Sequence, residues 1–217
     1  MVDGVRLSLI DETSRADHYH LTAEDNCYYL YEYTSHRGYS FSATNNLISN
    51  LKKKPSQAGQ PHYWYKGQAI GTCARAIGAA LNPDWLGSAT LVPVPGSKAA
   101  DHPDHDDRIE RMCRLMRQPT PDVRALVRQA ASTNASHEVT QGERVTVEQL
   151  LELYSIDEAI AQSAPQAIGI VDDVLTAGTH YRAMHSLLSA RFPGISIIGL
   201  FVARRVFPDD PLALGEL

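Results

Sequence analysis

Two adjacent acidic residues follow a short apolar run in the last third of the chain. Asp172 and Asp173 come directly after residues 168–171, in the segment IGIVDDVLTAGT. The turn after them consists of Thr176, Ala177, Gly178 and Thr179. Backbone N–H groups that converge at the start of a helix favour a phosphate, and nearby carboxylates suit the hydroxyl groups of a sugar. The segment therefore predicts a site for a phosphorylated sugar.

A second segment, which combines prolines, glycine and a cation, could bind another phosphate. Residues 91–98 have the sequence LVPVPGSK, in which Gly96 and Ser97 offer backbone and hydroxyl donors. Lys98 adds a positive charge that would favour a bound phosphate. Taken alone, this segment could equally be a turn with a solvated lysine. Together with the acidic pair on another predicted strand, it indicates two phosphate sites at one edge of a sheet.

The elements that must position these segments alternate between strands and helices. Continuous apolar runs predict buried strands at residues 89–94, 167–171 and 195–203. Amphipathic spacing predicts helices at residues 69–81, 107–116, 148–153 and 179–191. Strands that alternate with helices form parallel sheets with right-handed crossovers, and ligands bind at the carboxyl ends of such strands. We therefore predict an α/β fold with a central, mostly parallel sheet flanked by helices.

The first 65 residues differ from the rest in composition. They contain most of the ten tyrosines and few aliphatic runs. The aromatic segment at residues 27–33 predicts a strand, and residues 38–41 are candidates for its partner. Residues 52–60, KKKPSQAGQ, combine like charges with proline and glycine and predict a loop. We therefore predict a small subdomain at residues 1–65 and a main body at residues 66–217.

The length of 217 residues and the net charge of −5 bound the class of protein. One domain of this size buries a sufficient core without disulfides or a structural metal. The three cysteines are widely spaced, which indicates free thiols in a reducing compartment. The charge gives no overall positive field for nucleic acid or anionic lipid. The sequence shows neither a signal architecture nor an apolar stretch of membrane-spanning length, so we expect a cytoplasmic protein.

The two phosphate-type segments resemble the signature loops of type I phosphoribosyltransferases, and LVPVPGSK is most similar to the orphan ComF-like branch of that family. The resemblance implies that Asp172 and Asp173 hold the ribose 2- and 3-hydroxyls of phosphoribosyl pyrophosphate (PRPP). It implies that the turn after them binds the 5-phosphate. It also implies that Gly96, Ser97 and Lys98 receive pyrophosphate, with Lys98 and the two acids as the catalytic residues.

Three further features follow from the same resemblance. The segment DHPDHDDR ends in Arg108, a candidate ligand contact, while its spacing of histidine and aspartate matches no standard zinc pattern. Residues 128–144 would form a flap over the active site. Candidate flap or acceptor contacts are Arg128, His137 and Arg144. Residues 1–65 would form a hood over the pocket that sets acceptor specificity.

We therefore expect a Mg²⁺-dependent transferase that moves the phosphoribosyl group of PRPP to an acceptor and releases pyrophosphate. Mg²⁺ would bind mainly through the substrate, with Asp172 and Asp173 as possible protein ligands. The sequence does not indicate the acceptor, and a homodimer is left open. The alternative is a sensor that binds PRPP or a nucleotide and acts through a partner without turnover. A nucleoside or sugar-phosphate hydrolase is disfavoured because no water-activating histidine or metal cluster accompanies the acidic pair.

Overall fold

The central sheet combines strands from both ends of the chain. The computed structural model describes residues 5–98, 102–129 and 145–208. The strands in these ranges are β1 (Ser8–Leu9), β2 (Asn26–Thr34), β3 (Thr90–Pro93), β4 (Asp122–Val123), β5 (Val127–Gln129), β6 (Tyr154–Ile156), β7 (Ala167–Leu175) and β8 (Ser196–Val206). The helices are α1 (Ala43–Leu51), α2 (Trp64–Ala80), α3 (Pro83–Ser88), α4 (Arg108–Arg114), α5 (Val147–Leu153) and α6 (Thr179–Arg191).

Six of these strands form one sheet in the order β1-β2-β8-β7-β3-β4, and β5 pairs with β6 apart from it. Only the β1–β2 pair of the large sheet is antiparallel. Strand β7 is apolar on both faces: Ile170 packs in one core cluster with α5 and α6, and Val171 packs in the other with α1, α2 and α4. Helices on both faces of a parallel sheet confirm the predicted α/β class.

Strand β7 is longer than predicted. Helix α6 begins and ends at the predicted residues, but β7 continues to Leu175, so that Asp172 and Asp173 lie inside the strand. The long neighbouring strand β8 explains the extension, because it continues to pair with β7 as far as Leu175. On the other side, β3 ends at Pro93, opposite Val171. The two acids therefore lie beyond the end of one neighbouring strand, at an open part of the sheet edge.

The aromatic segment of the first 65 residues belongs to the central sheet. The predicted strand at residues 27–33 is confirmed as part of β2. The prediction that residues 38–41 pair with it is wrong, because they contain a turn and β2 pairs with β1 and β8. The division of the chain at residue 65 stays a prediction, and residues on both sides of it contribute strands to the same sheet. Of the helices described, none has the length and apolar character needed to cross a membrane.

Helix α2 packs closely against the segment that follows α4, and this contact can be tested at Gly78. A β-carbon there would lie 2.0 Å from the carbonyl oxygen of Met116, a backbone atom that cannot move away alone. We expect Gly78→Ala to lower the free energy of unfolding by about 1–3 kcal/mol in urea denaturation.

Gly67→Ala on the same helix is the matched control. No atom lies within 4 Å of a β-carbon at Gly67, so the substitution should raise the free energy of unfolding by up to about 1 kcal/mol through helix propensity. Equal effects of the two substitutions would contradict the packing of α2.

Candidate functional site

Asp172 and Asp173 lie at a cavity of about 190 Å³ near the ends of β3 and β7. It is called the smaller cavity, because a larger one adjoins it. Asp173 is only 3 % exposed, and Asp172 is half-buried. The predicted site residues that line this cavity are Gly96, Ser97, Lys98, Arg108, Asp172, Asp173 and Thr176. The two predicted phosphate segments are thus brought together at the carboxyl edge of the sheet, because β3 and β7 are adjacent and parallel.

The buried carboxylate of Asp173 is held by two cations. Arg108 donates from Nε and Nη2 to Asp173 Oδ2, at 3.0 and 2.6 Å. On the other carboxylate oxygen, Lys52 Nζ lies 3.1 Å from Oδ1. A buried charge needs such partners to offset the cost of removing it from water. Asp173 therefore joins the end of α1 and the start of α4 to strand β7.

Two ion pairs of Asp106 continue this network to helix α2. Asp106 Oδ2 accepts from Arg108 Nη1 at 2.8 Å and from Lys66 Nζ at 2.7 Å. Lys66 is fully buried on α2, and its ammonium also donates to the carbonyl oxygens of Leu51 and Lys53. The result is a chain of alternating charges, from Lys66 through Asp106, Arg108 and Asp173 to Lys52, that fixes the orientation of Arg108.

The two adjacent acids have opposite shifts in pKa. Burial and the negative charge of Asp173 raise the pKa of Asp172 to about 7. Burial acts to raise the pKa of Asp173 too, but the charges and hydrogen bonds of Lys52 and Arg108 outweigh it and hold that pKa well below its usual value. Asp173 is therefore the permanently charged member of the pair, and Asp172 is the one that gains most from a new cation or hydrogen-bond donor.

Gln129 and His105 contact the backbone of residues 96–98, which we call the glycine loop. Gln129 Nε2 donates to the carbonyl oxygen of Ser97 at 3.1 Å, and the His105 ring lies 3.1 Å from the carbonyl oxygen of Lys98. A β-carbon at Gly96 would lie 3.3 Å from the Asp106 carbonyl oxygen, so a larger residue would press on the segment that carries the ion network. The loop that could receive one phosphate is therefore anchored to strand β5 and to the start of α4.

The turn at residues 176–179 is held by the N-terminal segment. Gly178 has φ of 88°, in the left-handed region that glycine adopts without strain, and it caps the start of α6. His18 Nδ1 donates to the carbonyl oxygen of Thr176, and the His20 N–H donates to that of Ala177 at 3.0 Å. Because a trans peptide places its N–H opposite its carbonyl, the N–H groups of Ala177 and Gly178 point away from these histidines. Helix starts of this kind favour an anion, although Gly178 itself is buried and lines neither cavity.

A larger cavity, of about 1310 Å³, adjoins the smaller one. The two cavities share Lys52, Lys54, Val174, Thr176 and His180 in their walls. Ala177 and Thr179 of the turn line the larger cavity, as do many residues of the first 65. A ligand that reaches from the glycine loop to the turn therefore enters both cavities.

Lys52 and His180 are among the residues of the site that were not predicted from the sequence. Lys52 belongs to a run of three lysines that was interpreted only as a loop, and nothing in the sequence indicates its ion pair with Asp173. His180 directly follows the predicted turn and lines both cavities, and its Nδ1 lies 2.8 Å from the hydroxyl oxygen of Tyr154. Burial lowers the pKa of His180 to about 4, so the imidazole is neutral at pH 7. Its position next to Thr179 is the one signal that could have identified it.

Of the three predicted flap or acceptor contacts, the structure describes only Arg128. Arg128 lies on β5, where it forms an ion pair with Asp157; its side chain is 69 % exposed, and it lines neither cavity. His137 and Arg144 lie outside the described residues. In the parts of the chain that the structure describes, no group of three or more His, Cys, Asp or Glu residues could hold a metal ion.

Substituting the two acids separately should change stability in opposite directions. We expect Asp173→Asn to lower the free energy of unfolding by about 2–3 kcal/mol, because Lys52 and Arg108 lose their buried partner. Asp172→Asn should raise it by about 1 kcal/mol at pH 8, since it removes a like charge beside Asp173. Urea unfolding of the two variants measures both effects, and destabilisation by Asp172→Asn at pH 8 would contradict the electrostatics described.

The gain in the free energy of unfolding from Asp172→Asn should depend on pH. The raised pKa means that the folded protein keeps a proton on Asp172 between about pH 4 and pH 7, where the unfolded chain has lost it. The contribution of Asp172 to stability is therefore lost as the pH rises through this range. The difference in unfolding free energy between Asp172→Asn and wild type should be near zero at pH 4 and should grow up to about pH 7. A difference that shrinks over this range would contradict the shift.

Comparison with known proteins does not identify a family for this chain. No protein-family model matches it. No curated protein is significantly similar to it in sequence. The function of the chain must therefore be inferred from the residues of the site and from their geometry.

Proposed function

We propose that the protein has the type I phosphoribosyltransferase fold and transfers the phosphoribosyl group of PRPP to an acceptor, with release of pyrophosphate. The observation that carries the proposal is the pair of anion-type loops at the ends of adjacent parallel strands, with the Asp172–Asp173 pair between them. PRPP has a phosphate at one end, a pyrophosphate at the other and a ribose with two hydroxyls between. Its three parts match these three features in order.

PRPP would span both cavities. Its pyrophosphate would lie in the smaller cavity against Gly96, Ser97 and Lys98, and its ribose would lie over Asp172. The 5-phosphate would lie at the turn of residues 176–179, where Ala177 and Thr179 line the larger cavity. At about 190 Å³ the smaller cavity is too small for a typical ligand of drug size, which supports a ligand that extends into its neighbour.

The two acids would have different tasks in this complex. Both carboxylate oxygens of Asp173 are engaged by Lys52 and Arg108, so its task is to hold those cations in place. One oxygen of Asp172 accepts from the Asp173 N–H at 2.7 Å, and the carboxylate lines the cavity. Asp172 would therefore bind the ribose hydroxyls, whose donors stabilise its charged form. Arg108 and Lys52 would offset the charge of the substrate from the wall of the cavity.

The chemistry of the smaller cavity fits Mg²⁺ as a partner of the substrate. Among the residues that the structure describes, the cations pair with Asp173 and not with Asp172. Mg²⁺ commonly binds proteins through one or two carboxylates while substrate phosphates and water supply the other ligands. Mg²⁺ would supply charge neutralisation on the pyrophosphate as it leaves. Asp172 would hold the ion, while Asp173 is engaged with Lys52 and Arg108.

The protein residues would act mainly by position and charge. The nucleophilic atom of the acceptor forms a bond to C1 of the ribose while the bond from C1 to pyrophosphate breaks, and pyrophosphate keeps the electron pair. Lys98 would stabilise the negative charge on the leaving group. The acceptor would lose its proton to water, and the neutral imidazole of His180, at the border of both cavities, would offer a hydrogen bond to the acceptor.

Calorimetric titration of PRPP with Mg²⁺ tests this proposal. We expect wild type to bind PRPP and Asp172→Asn to bind it at least tenfold more weakly, because the variant loses the charge that the ribose hydroxyls and Mg²⁺ contact. Asp84→Asn, at an exposed residue outside both cavities, is the matched control and should bind as wild type does. Absence of binding by wild type, or equal binding by wild type and Asp172→Asn, would contradict the proposal.

Turnover separates a transferase from a sensor that uses the same cavities. The transferase should release pyrophosphate from PRPP when a suitable base or amine is supplied, and Lys98→Met should slow the release, since its charge stabilises the leaving group. Tight binding of PRPP without pyrophosphate release across a panel of bases, amines and nucleotides would favour the sensor.

A further inference from the structure

The larger cavity has more space than PRPP requires. Its volume of about 1310 Å³ exceeds the usual range of about 300–1000 Å³ for sites that bind one small ligand. The turn at residues 176–179 occupies one side of it, next to the border with the smaller cavity. Other lining residues come from the loop after β2, from the end of α1 and from the end of β8. A 5-phosphate at the turn would leave most of this volume open.

Several aromatic rings line the larger cavity, and a flat molecule could stack on them. Tyr19 and Tyr39 line the cavity with 64 % and 66 % of their surface exposed, and Phe207 at the end of β8 is also exposed. Tyr33 adds a half-buried ring from the end of β2. Exposed rings that surround one cavity are typical of sites for planar ligands, because stacking on an aromatic side chain is favourable for any aromatic base.

The charged residues of the same walls are mainly cations. Arg37, Lys53 and Arg205 line the larger cavity in addition to the shared Lys52 and Lys54, whereas Glu148 is the acid among the described lining residues. Arg37 and the exposed Tyr39, two residues further along the same loop, both line this cavity. A ligand for this cavity should therefore carry negative charge next to an aromatic ring.

The wall that carries Arg37 is held in place by buried hydrogen bonds. The amide of Asn45, which is only 1 % exposed, donates to the carbonyl oxygens of Thr34 and Arg37, at 2.9 and 3.2 Å. Its oxygen accepts from the Thr34 N–H at 3.2 Å. Between them, His36 adopts φ of 59°, a left-handed conformation that is costly for a non-glycine residue. Such a conformation persists only where its surroundings enforce it, so the hydrogen bonds of Asn45 fix the backbone of this wall.

We infer that the larger cavity is a second ligand site, for an aromatic base that carries its own phosphate, as in a nucleotide. The base would stack on Tyr39, and its phosphate would contact Arg37. Both groups lie in the cavity that adjoins the ribose position, so the ligand would be bound at the same time as PRPP. That the nucleotide is the acceptor rests on the proposed function; that it binds at this second site does not.

Binding of adenosine monophosphate (AMP) to protein saturated with ribose 5-phosphate tests this inference. Ribose 5-phosphate occupies the turn at residues 176–179, so that AMP must use the second site. We expect AMP to bind at least tenfold more tightly than adenosine or inorganic phosphate in calorimetry. Arg37→Gln should raise the Kd of AMP about tenfold, and Tyr39→Ala about fivefold. Arg75→Gln, on the exposed side of α2, is the matched control and should leave the Kd unchanged.

Three results would overturn the second site: displacement of AMP by ribose 5-phosphate, equal binding of AMP and adenosine, or unchanged AMP binding in both cavity variants. A single-stranded trinucleotide titrated in parallel identifies the source of the ligand, because tighter binding than AMP assigns the site to the end of a nucleic-acid strand. Failure of ribose 5-phosphate to bind would count against the proposed function alone. AMP binding that depends on Arg37 and Tyr39 would still support the second site.

Discussion

The buried carboxylate of Asp173 is the constraint on which the site depends. An ionised group that is 3 % exposed must be paired, and its two partners come from distant parts of the chain: Lys52 at the end of α1 and Arg108 at the start of α4. Arg108 is in turn held by Asp106, which the buried Lys66 also contacts. One carboxylate thus fixes the positions of two helices relative to β7 and sets the shape of the smaller cavity.

The same arrangement disfavours the charged form of Asp172. It lies beside a charged neighbour and in partly buried surroundings, which raise its pKa to about 7. Natural proteins retain such costs mainly where function needs them. A ligand that brings hydroxyl donors and a divalent cation to Asp172 would relieve the cost, so the electrostatics favour such a ligand at Asp172. The stability of the fold and the proposed chemistry therefore depend on different members of one acidic pair.

Local features of the sequence were sufficient to predict the framework of the site. The apolar runs predicted the buried strands, and the small turn before residues 179–191 predicted the start of α6. The pairing of strands that are far apart in the sequence could not be predicted from local features. The extension of β7 past the acids depends on the length of β8, and the place of β2 depends on its register with β8. Lys52 could not be assigned from its lysine run, because its role is set by a partner far along the chain.

A structure of the protein with PRPP and Mg²⁺ tests the central claim most directly. The account predicts pyrophosphate against residues 96–98, the 5-phosphate at the turn of residues 176–179, and the ribose hydroxyls within hydrogen-bond distance of Asp172. It also predicts that the Lys52 and Arg108 contacts with Asp173 persist in the complex. PRPP bound in the reverse orientation, or bound away from the two cavities, would contradict it.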